Sequence, residues 1–539
     1  MKTIKTRFSV AAGLLLHGAL CAHGGMLTVT SLADAGPGSL RDTVASSSAG
    51  DTIQFGVTGT IKLSSAINIA HTLDVKGPGA AALTIDANVM DRAFITSGSP
   101  VVLSGMTITH GFVLGTTGAD GGLGQNGMPG GNALGGAILN SGPSLFVSNC
   151  WVVGNVVRGG QGGRGGNNVI GITYFRPGNG GGGGSAAGAG IYSSGGGDMV
   201  LANCTFSANR AVGGTGGIGG TNFASPYDTG GTGGAGGGGQ AGAVGSDPLM
   251  TYFTNCTFSG NRVAGGSGGA GGSNTGGPGG TGGGGGPGIG GAVATGIYAV
   301  RFLSCTIVSN AAISGLGGLG GNGTPLGVSG TTGSGTAGGV EAYRITCNNP
   351  IANTILADND ATTSNPNYYM GPRDDGYNFI GTDDGCGPWG PTSRAGTIII
   401  PLHPQLGPLA QNGGGIPTHA TTLTSPATDA GFSFGLTADQ RGAPRYYDFV
   451  SIPNFAAGDS SDIGAFELGS TEVGLDMAGH NLVLSWPAYY GDLMLQSATN
   501  LQGSNGWSHV SEPPAHVGSQ FIVTLPADEP IKFFRLSNP

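Results

Sequence analysis

Asn255-Cys256-Thr257-Phe258-Ser259-Gly260-Asn261 is the clearest copy of a short pattern that recurs through the middle of this chain. The copies follow one another about every 50 residues, an interval that indicates a repeat architecture. In order, the other copies are Asn149-Cys150-Trp151-Val152-Val153-Gly154-Asn155, Asn203-Cys204-Thr205-Phe206-Ser207-Ala208-Asn209, Ser304-Cys305-Thr306-Ile307-Val308-Ser309-Asn310 and Asn353-Thr354-Ile355-Leu356-Ala357-Asp358-Asn359. In a solenoid each repeat forms one coil, and equivalent residues of successive coils form a column.

The sequence around these copies predicts short β-strands. Residues 26–110 contain β-branched runs such as Met26-Leu27-Thr28-Val29-Thr30, separated by Gly, Pro or Asp. From about residue 135 each unit begins with a Gly-Gly-apolar stretch, for example Gly135-Gly136-Ala137-Ile138. Helical periodicity is absent, and a β-sandwich would not place one residue at a near-constant period. We therefore predict an all-β chain with a parallel β-helix over residues 26–469, in which residues 361–469 form the last, irregular coils.

Two positions of the repeat predict structural columns. Cys150, Cys204, Cys256, Cys305 and Thr354 share the first position, and Asn155, Asn209, Asn261, Asn310 and Asn359 share the second. We interpret the first set as a buried column of thiols and the second as an amide ladder at a coil corner. Cys347 and Cys386 make the number of cysteines after Cys21 even, so disulfides are the alternative.

Five Gly-rich tracts separate the repeats and account for much of the glycine in the chain, 115 of 539 residues. They lie at about 111–134, 158–187, 212–242, 264–289 and 314–337. One interpretation is flexible linker or disorder. The alternative rests on the period of three in Gly265-Gly266-Ser267-Gly268-Gly269-Ala270, because polyproline II also has three residues per turn. Tracts that go out and back from stacked coils would then form an ordered sheaf on one side of the solenoid.

The two ends of the chain differ from the repeats. Residues 1–22 have the pattern of a secretory signal peptide, with Lys2, Lys5 and Arg7 before an apolar run; a short membrane anchor and a lipidated Cys21 are the alternatives. No other run predicts a transmembrane segment. Residues 470–539 contain alternating runs such as Phe521-Ile522-Val523-Thr524-Leu525 and predict a small β-sandwich module.

Charge excludes some partners. Only 9% of the residues are charged, and the formal net charge is −9 with no cluster of Lys or Arg. This composition argues against nucleic acid and against an anionic membrane as the main partner.

Several motifs resemble secreted bacterial β-helix proteins. The Gly-Gly-Ala-Ile and Phe-x-x-Asn elements, as in Gly135–Ile138 and Phe258–Asn261, resemble the repeats of polymorphic outer-membrane proteins. Asp439-Gln440-Arg441-Gly442-Ala443-Pro444-Arg445 with Asp462-Ile463-Gly464-Ala465-Phe466-Glu467-Leu468 is similar to the end of choice-of-anchor β-helix domains. The resemblance implies a right-handed parallel β-helix exported to the cell surface or beyond, and it implies no activity.

Few residues qualify as catalytic or metal-binding candidates. Arg373, Asp374 and Asp375 are the nearest to the basic and acidic cluster of a polysaccharide lyase or hydrolase, but neighbouring strand residues point to opposite faces. Asp448, Asp459 and Asp462 offer oxygens that Ca²⁺ would accept, in no recognised calcium motif. We predict no catalytic residues, no resident metal and no cofactor, with Ca²⁺ as the one ion to consider.

The sequence therefore favours a non-enzymatic secreted or cell-surface protein that binds surface glycans or proteins through its Gly-rich side. A carbohydrate-active enzyme on the same fold and a structural envelope component are the alternatives.

Overall fold

The structure is a computed structural model, and it describes residues 24–169, 176–223, 227–247, 250–296, 299–342, 349–369, 372–383, 385, 387–455, 457–469, 473–490, 493–500, 506–517, 520–527 and 531–537. The predicted signal peptide, Cys347 and Cys386 lie outside these residues. The fold is a parallel β-helix, as the repeats predict: five stacks of parallel strands run along one axis. No helix in the described ranges is long and apolar enough to cross a membrane.

Two ten-stranded sheets run along the solenoid. Sheet A contains β1 (Met26–Val29), β2 (Asp51–Phe55), β5 (Leu73–Lys76), β8 (Val101–Ser104), β13 (Leu145–Ser148), β18 (Met199–Ala202), β23 (Met250–Thr254), β28 (Ala299–Leu303), β33 (Asn349–Ala352) and β37 (Pro372–Gly376). Sheet B contains β3 (Gly59–Lys62), β6 (Leu83–Asp86), β9 (Thr107–Thr109), β14 (Trp151–Val153), β19 (Thr205–Ser207), β24 (Thr257–Ser259), β29 (Thr306–Val308), β34 (Ile355–Ala357), β38 (Phe379–Asp383) and β39 (Arg394–Thr397).

Three shorter stacks complete the coils. Sheet C contains β4 (Ile67–Ile69), β7 (Phe94–Thr96), β12 (Ile138–Asn140), β17 (Ile191–Ser193), β22 (Val244–Ser246), β27 (Val293–Thr295), β32 (Val340–Ala342) and β36 (Tyr368–Tyr369). Sheet D contains β10 (Phe112–Leu114), β15 (Val156–Arg158), β20 (Arg210–Val212), β25 (Arg262–Ala264), β30 (Ala311–Ile313) and β35 (Asp360–Ala361). Sheet E contains β11 (Ala133–Leu134), β16 (Ala186–Ala187), β21 (Gly239–Gln240), β26 (Gly288–Ile289) and β31 (Gly335–Thr336).

The register of the coils follows the sequence repeat. Thr205 of β19 pairs with Thr257 of β24, and Thr257 pairs with Thr306 of β29. Phe206 and Phe258 therefore stack inside the helix with ring centroids 5.0 Å apart. Left-handed backbone marks the corner between sheets A and B, where Asn255 has a φ of 49°. Asn tolerates this conformation better than most residues, which explains why it precedes the column residue in four of the copies.

The first coils are closed by a short helix. Helix α1 (Leu40–Ser46) begins after Ser39, whose side chain accepts a hydrogen bond from the Asp42 amide over 3.2 Å. Leu40 and Val44 are buried in the apolar core of the solenoid. The helix lies against β1 and β4 and covers the end of the core, which a solenoid must protect from solvent.

Residues 398–468 do not form coils, in contrast to the prediction that 361–469 are the last turns of the solenoid. The final strand of sheet B ends at Thr397, and the chain then runs back along the outer face of that sheet. Gln440 donates to Thr205 over 2.7 Å and accepts from Thr257 over 2.5 Å. This segment, which we call the return segment, contains a short hairpin of β40 (Leu409–Ala410) and β41 (Thr418–His419). Its contacts give the outward threonines of sheet B polar partners.

The C-terminal region has two antiparallel sheets. One contains β42 (Gly474–Ala478), β43 (Asn481–Pro487), β46 (Ala515–Val517) and β47 (Gln520–Pro526), and the other contains β44 (Met494–Ala498), β45 (Ser508–His509) and β48 (Phe533–Ser537). A 3₁₀ turn spans Ala488–Tyr490. Trp486, Leu495 and Val523 share an apolar cluster with Phe466 and Leu468 at the end of the return segment.

Candidate functional site: the glycine-rich bundle and its basal groove

The Gly-rich tracts leave each coil after sheet D and return to sheet E. Each has an outgoing and a returning arm, and we call the set of arms the bundle. Gly216 and Gly219 of one outgoing arm donate to the carbonyls of Ser267 and Ala270 in the next, so the bonds repeat every three residues. This is the spacing of polyproline II, and these arms bond to their neighbours rather than to themselves.

The two layers of arms also bond to each other. Gly214, Gly217 and Gly220 donate over 2.8 Å to Gly184, Gly181 and Gly178 of the preceding returning arm, which runs antiparallel. Two of every three amides are therefore used inside the bundle. The remaining position of each turn faces solvent on one of two broad surfaces.

Close packing explains why two of three residues are Gly. A Cβ atom on Gly217 would lie 1.9 Å from the carbonyl oxygen of Gly163, and one on Gly216 would lie 1.9 Å from that of Gly234. The third position has room for a side chain, and Ile218 is exposed there. The Gly-Gly-X period is thus the sequence signature of an arm with neighbours on both sides.

The two edges of the bundle confirm this account. Thr116 and Ala119 belong to the first outgoing arm. In later arms the equivalent positions are Gly, because a side chain there would collide with the preceding arm, and the described residues before Thr116 form no such arm. Leu326, Ser329 and Thr332 of the last returning arm occupy the equivalent positions at the other edge, and all three are exposed. Residues other than Gly therefore occupy these positions at the two edges of the bundle, where no neighbouring arm would collide with their side chains.

The two broad surfaces of the bundle differ in charge. The outgoing face, formed by the third positions of the outgoing arms, includes Asp120, Arg158 and Arg164. The returning face, formed by those of the returning arms, carries one charged residue at its described positions, Arg176 at the outer end of its arm, which pairs with Asp228 at 3.3 Å; the others are small or uncharged. These are Asn126, Pro129, Asn132, Asn179, Gly182, Ser185, Thr232, Ala235, Gly238, Thr281, Gly284, Pro287, Val328, Thr331 and Ser334.

The asparagine column lies where each arm leaves the coil. Asn209 donates from its side chain and its backbone to Oδ1 of Asn261, over 2.9 and 3.1 Å, and Asn261 repeats both bonds to Asn310 over 2.9 and 3.0 Å. Asn155 and Asn359 continue the ladder at its two ends. Asn261 also donates to the Phe206 carbonyl over 2.8 Å. The ladder thus fixes the spacing of the arms at their base.

The cysteine column is buried in the core of the coils. Cys150, Cys204, Cys256 and Cys305 are free thiols with no exposed surface. Cys204 donates to the Ala202 carbonyl over 3.2 Å, and burial raises the pKa of the Cys204 and Cys305 thiols well above the usual value. Thr354 takes the fifth position and donates to Ala352 over 2.9 Å. These side chains pack the coil interior and are out of reach of a ligand.

The weak catalytic candidates are engaged in structural contacts. Arg373 and Asp375 form a two-point ion pair with each other, at 2.8 and 2.9 Å. Asp374 accepts from Asn378 over 2.6 Å, from Ser393 over 2.7 Å and from the amides of Gly376 and Gly390. The Asp374 carboxylate therefore holds a turn together, and these contacts leave it little capacity to act on a substrate.

The calcium candidates are also occupied by protein donors. Asp462 accepts from Thr421 over 2.6 Å and from the Leu468 amide, Asp459 accepts from Ser433, and Asp448 accepts from Asn454. Burial raises the pKa of Asp462 to about 6, although the hydrogen bonds that its carboxylate accepts act to lower the pKa. Within the described residues, no group of three or more acidic, His or Cys side chains is arranged to hold a metal ion.

A groove lies at the base of the returning face, where it meets the outer surface of sheet C. It encloses about 550 Å³. Asn132, Ser185 and Gln240 line it on the bundle side, and Tyr192 and Glu341 line it on the coil side. Sequence reasoning missed this groove. The signal in the sequence is one carboxylate, Glu341, at a position that Leu139, Tyr192, Gly245 and Ala294 occupy in the four preceding coils.

Comparisons with known proteins give no family. No family model matches the chain, and no curated protein matches it. Among solved structures, the nine-helix polyproline II bundle antifreeze protein of the springtail Granisotoma rainieri aligns at 25% identity over 42% of this chain and 97% of that chain, with a TM-score of 0.15. A rhamnogalacturonan lyase aligns at 12% identity over 75% of this chain and 96% of that chain, with a TM-score of 0.24.

Proposed function

We propose that this chain is a non-enzymatic secreted or cell-surface protein that adheres to polysaccharide surfaces through the returning face of its bundle. The observation that carries the proposal is the contrast between the two faces. Both are built on the same hydrogen-bonded arms, yet Asp120, Arg158 and Arg164 lie on the outgoing face, whereas the described positions of the returning face hold one charged side chain, Arg176 at the outer end of an arm, which is paired with Asp228.

The geometry of the returning face supports contact with an extended, ordered surface. Third positions repeat about every 9 Å along an arm, because polyproline II rises about 3.1 Å per residue. Neighbouring arms continue strands that lie about 4.8 Å apart. Short side chains such as Thr232, Ala235 and Thr281 lose little conformational entropy when a ligand covers them. Asn, Ser and Thr at other points of the face supply donors and acceptors for sugar hydroxyls.

A rigid base supports the same proposal. The asparagine ladder and the arm-to-arm bonds hold the face in one arrangement before a ligand binds, so little free energy is lost in ordering it. Export, which the sequence predicts from residues 1–22, would bring the face to extracellular polysaccharide. The occupied side chains of Arg373, Asp374 and Asp375 favour a binding role over a catalytic one.

The test compares matched variants on the two faces. We expect Ala235→Lys with Thr281→Lys, both on the returning face, to reduce retention on insoluble cellulose, chitin and purified bacterial envelope polysaccharide at least 10-fold. Ser267→Lys with Ala270→Lys places the same charges on the outgoing face and serves as the control. Equal losses in both variants, or no retention by the unmodified protein on any of these surfaces, would reject the proposal.

Binding to ice is a second candidate, favoured by the small, uncharged residues that repeat on the returning face. Crystal waters on the springtail antifreeze bundle match the ice lattice, but the low TM-score gives that likeness no weight for this chain. Inhibition of ice recrystallisation by the unmodified protein, and its loss in Ala235→Lys with Thr281→Lys, would favour this candidate over polysaccharide adhesion.

A further inference from the structure

We propose that the basal groove is a binding site for an amino-sugar oligosaccharide, with Glu341 receiving the sugar ammonium group. The groove shares Asn132 and Ser185 with the base of the returning face, but Tyr192 and Glu341 belong to the coil, and Ala235 and Thr281 do not line the groove. Its occupancy can therefore be tested apart from binding by the rest of that face. Two features of the groove indicate this ligand: the unpaired carboxylate of Glu341, and the small residues in the column beside it.

Glu341 is buried without a partner. It retains 9% of its surface, and burial is the sole cause of its raised pKa, with no hydrogen bond or charge among the described residues acting on it. Its carboxylate oxygens are not fully enclosed, so they are open to the groove. Val340 and Ala342, on either side of it in β32, pack into the solenoid core, so Glu341 points outward to the groove. Burial raises the pKa of Glu341 to about 7.

Leaving a carboxyl group in this state is unfavourable, because a buried charge needs an opposite charge or several donors. Other buried acids of this protein have partners on at least one oxygen: Asp439 pairs with Arg441 at 2.7 Å, Asp462 accepts several hydrogen bonds, and Asp429 accepts from the Phe449 amide through one of its two oxygens. A ligand ammonium group would supply the positive charge and the hydrogen-bond donors that Glu341 lacks within the described chain.

The column around Glu341 gives the groove its length. Register pairs Tyr192 with Gly245, Gly245 with Ala294, and Ala294 with Glu341. Three strand spacings separate Tyr192 from Glu341, or about 14 Å. The two residues between them are Gly and Ala, and the Tyr192 ring lies over Gly245, where its Cδ2 atom is 3.1 Å from the position of a Cβ. The open part of the column therefore spans about two strand spacings, or about 10 Å, which suits two sugar rings.

The remaining groups suit a sugar rather than an apolar ligand. Tyr192 is held by Asp247, to which its hydroxyl donates over 3.2 Å, and it places an aromatic ring at one end of the groove. Asn132, Ser185 and Gln240 are exposed along the opposite wall. Amide and hydroxyl groups can exchange hydrogen bonds with sugar hydroxyls in either direction. Glu341 then discriminates an amino sugar from its acetylated form, which carries no charge.

The experiment uses two soluble probes, the β-1,4-linked tetramers of glucosamine and of N-acetylglucosamine, in calorimetric titrations at pH 7 with the whole chain. We expect the unmodified protein to bind the glucosamine tetramer at least 10-fold more tightly. Glu341→Gln preserves the shape of the side chain and should reduce the ratio of the two affinities to about 1. Its circular dichroism spectrum and melting temperature check that it is folded.

Two further variants locate the effect. Tyr192→Leu should weaken binding of both tetramers, because it removes the ring from the other end of the groove. Ala235→Lys with Thr281→Lys should leave both affinities unchanged, which separates the groove from the returning face. Equal affinity of the unmodified protein for the two tetramers, absence of binding, or a preference for glucosamine that persists in Glu341→Gln would each overturn the proposal.

Discussion

The carbonyl oxygen of Gly163 occupies the position at which Gly217 would carry a Cβ atom, with only 1.9 Å between the two. Gly163 and Gly217 lie in adjacent outgoing arms, and Gly217 also donates to Gly181 over 2.8 Å. Glycine at this position is therefore required by packing between arms. The same relationship repeats through the bundle and underlies its two broad faces.

Gly217→Ala should destabilise the bundle, because its methyl group has no space against Gly163. We expect a cost of about 1–3 kcal/mol, the usual range for an inserted methyl group in a packed interior. Hydrogen exchange of the arm amides should become faster around the substitution. Thr215→Ala, in an exposed position of the same arm, is the control and should change stability by no more than about 0.5 kcal/mol. Similar exchange in both variants would contradict the packing account.

Asn261→Ala should lower the stability of the coils. The substitution removes the donors and the acceptor of the middle rung. It leaves the Asn209 backbone amide and one of its side-chain N–H groups without an acceptor, and it removes the donor to the Phe206 carbonyl, all in a buried site. We expect a loss of about 2–4 kcal/mol in the free energy of unfolding, measured by urea denaturation. Asn322→Ala, at an exposed arm position, provides the comparison. A stable Asn261→Ala protein would show that the ladder is not needed to hold the coils.

Cys150, Cys204, Cys256 and Cys305 should resist alkylation in the native protein. They are fully buried, and the raised pKa of Cys204 and Cys305 keeps these groups as thiols, whereas the thiolate is the reactive form. Treatment with iodoacetamide followed by peptide mass spectrometry should find these four sites unmodified until denaturant is added. Ser267→Cys, on the outgoing face, should react at once under the same conditions. Rapid native labelling of Cys204 would show that the coils open.

Glu341→Gln should stabilise the protein at alkaline pH and have little effect in acid. The pKa of Glu341 is raised from 4.5 to about 7 in the folded protein, so the fold favours the protonated form. Its contribution to stability is fully present below pH 4.5 and is lost as the pH rises through 7. Above about pH 8, the ionised Glu341 side chain therefore lowers the free energy of unfolding by an amount on the order of 3 kcal/mol. The neutral amide of Glu341→Gln does not have this cost.

Urea unfolding at about pH 4 and about pH 8, on either side of this range, tests the expectation. The variant and the unmodified protein should agree at the lower pH and differ at the higher one. Glu512→Gln, which changes an exposed glutamate, should show no such dependence. A Glu341→Gln variant whose stability relative to the unmodified protein does not change with pH would mean that the carboxyl group is hydrated in the folded state.

Much of the architecture was predictable from local periodicity. The repeat of Asn255 to Asn261 places one strand of every coil, because equivalent residues in a solenoid must stack. The Gly-Gly-X period likewise predicts a three-residue turn in each arm. Even the edges could have been recognised in advance, since Thr116, Ala119 and Leu326 interrupt the Gly-Gly pattern in the first and last tracts only.

The features that the sequence does not predict depend on contacts between distant parts of the chain. The hydrogen bond between Thr205 and Gln440 joins residues 235 positions apart, and the sequence repeat does not predict it. The sequence therefore predicts that the return segment forms further coils of the solenoid. The groove has the same origin: Glu341 is an ordinary acidic residue in the sequence, and it becomes an unpaired buried carboxyl group only where sheet C meets the bundle. Sequence alone determined the coil and the arm, because both are local repeats; tertiary structure determined which surfaces are covered and which remain open, because that depends on packing between segments far apart in the chain.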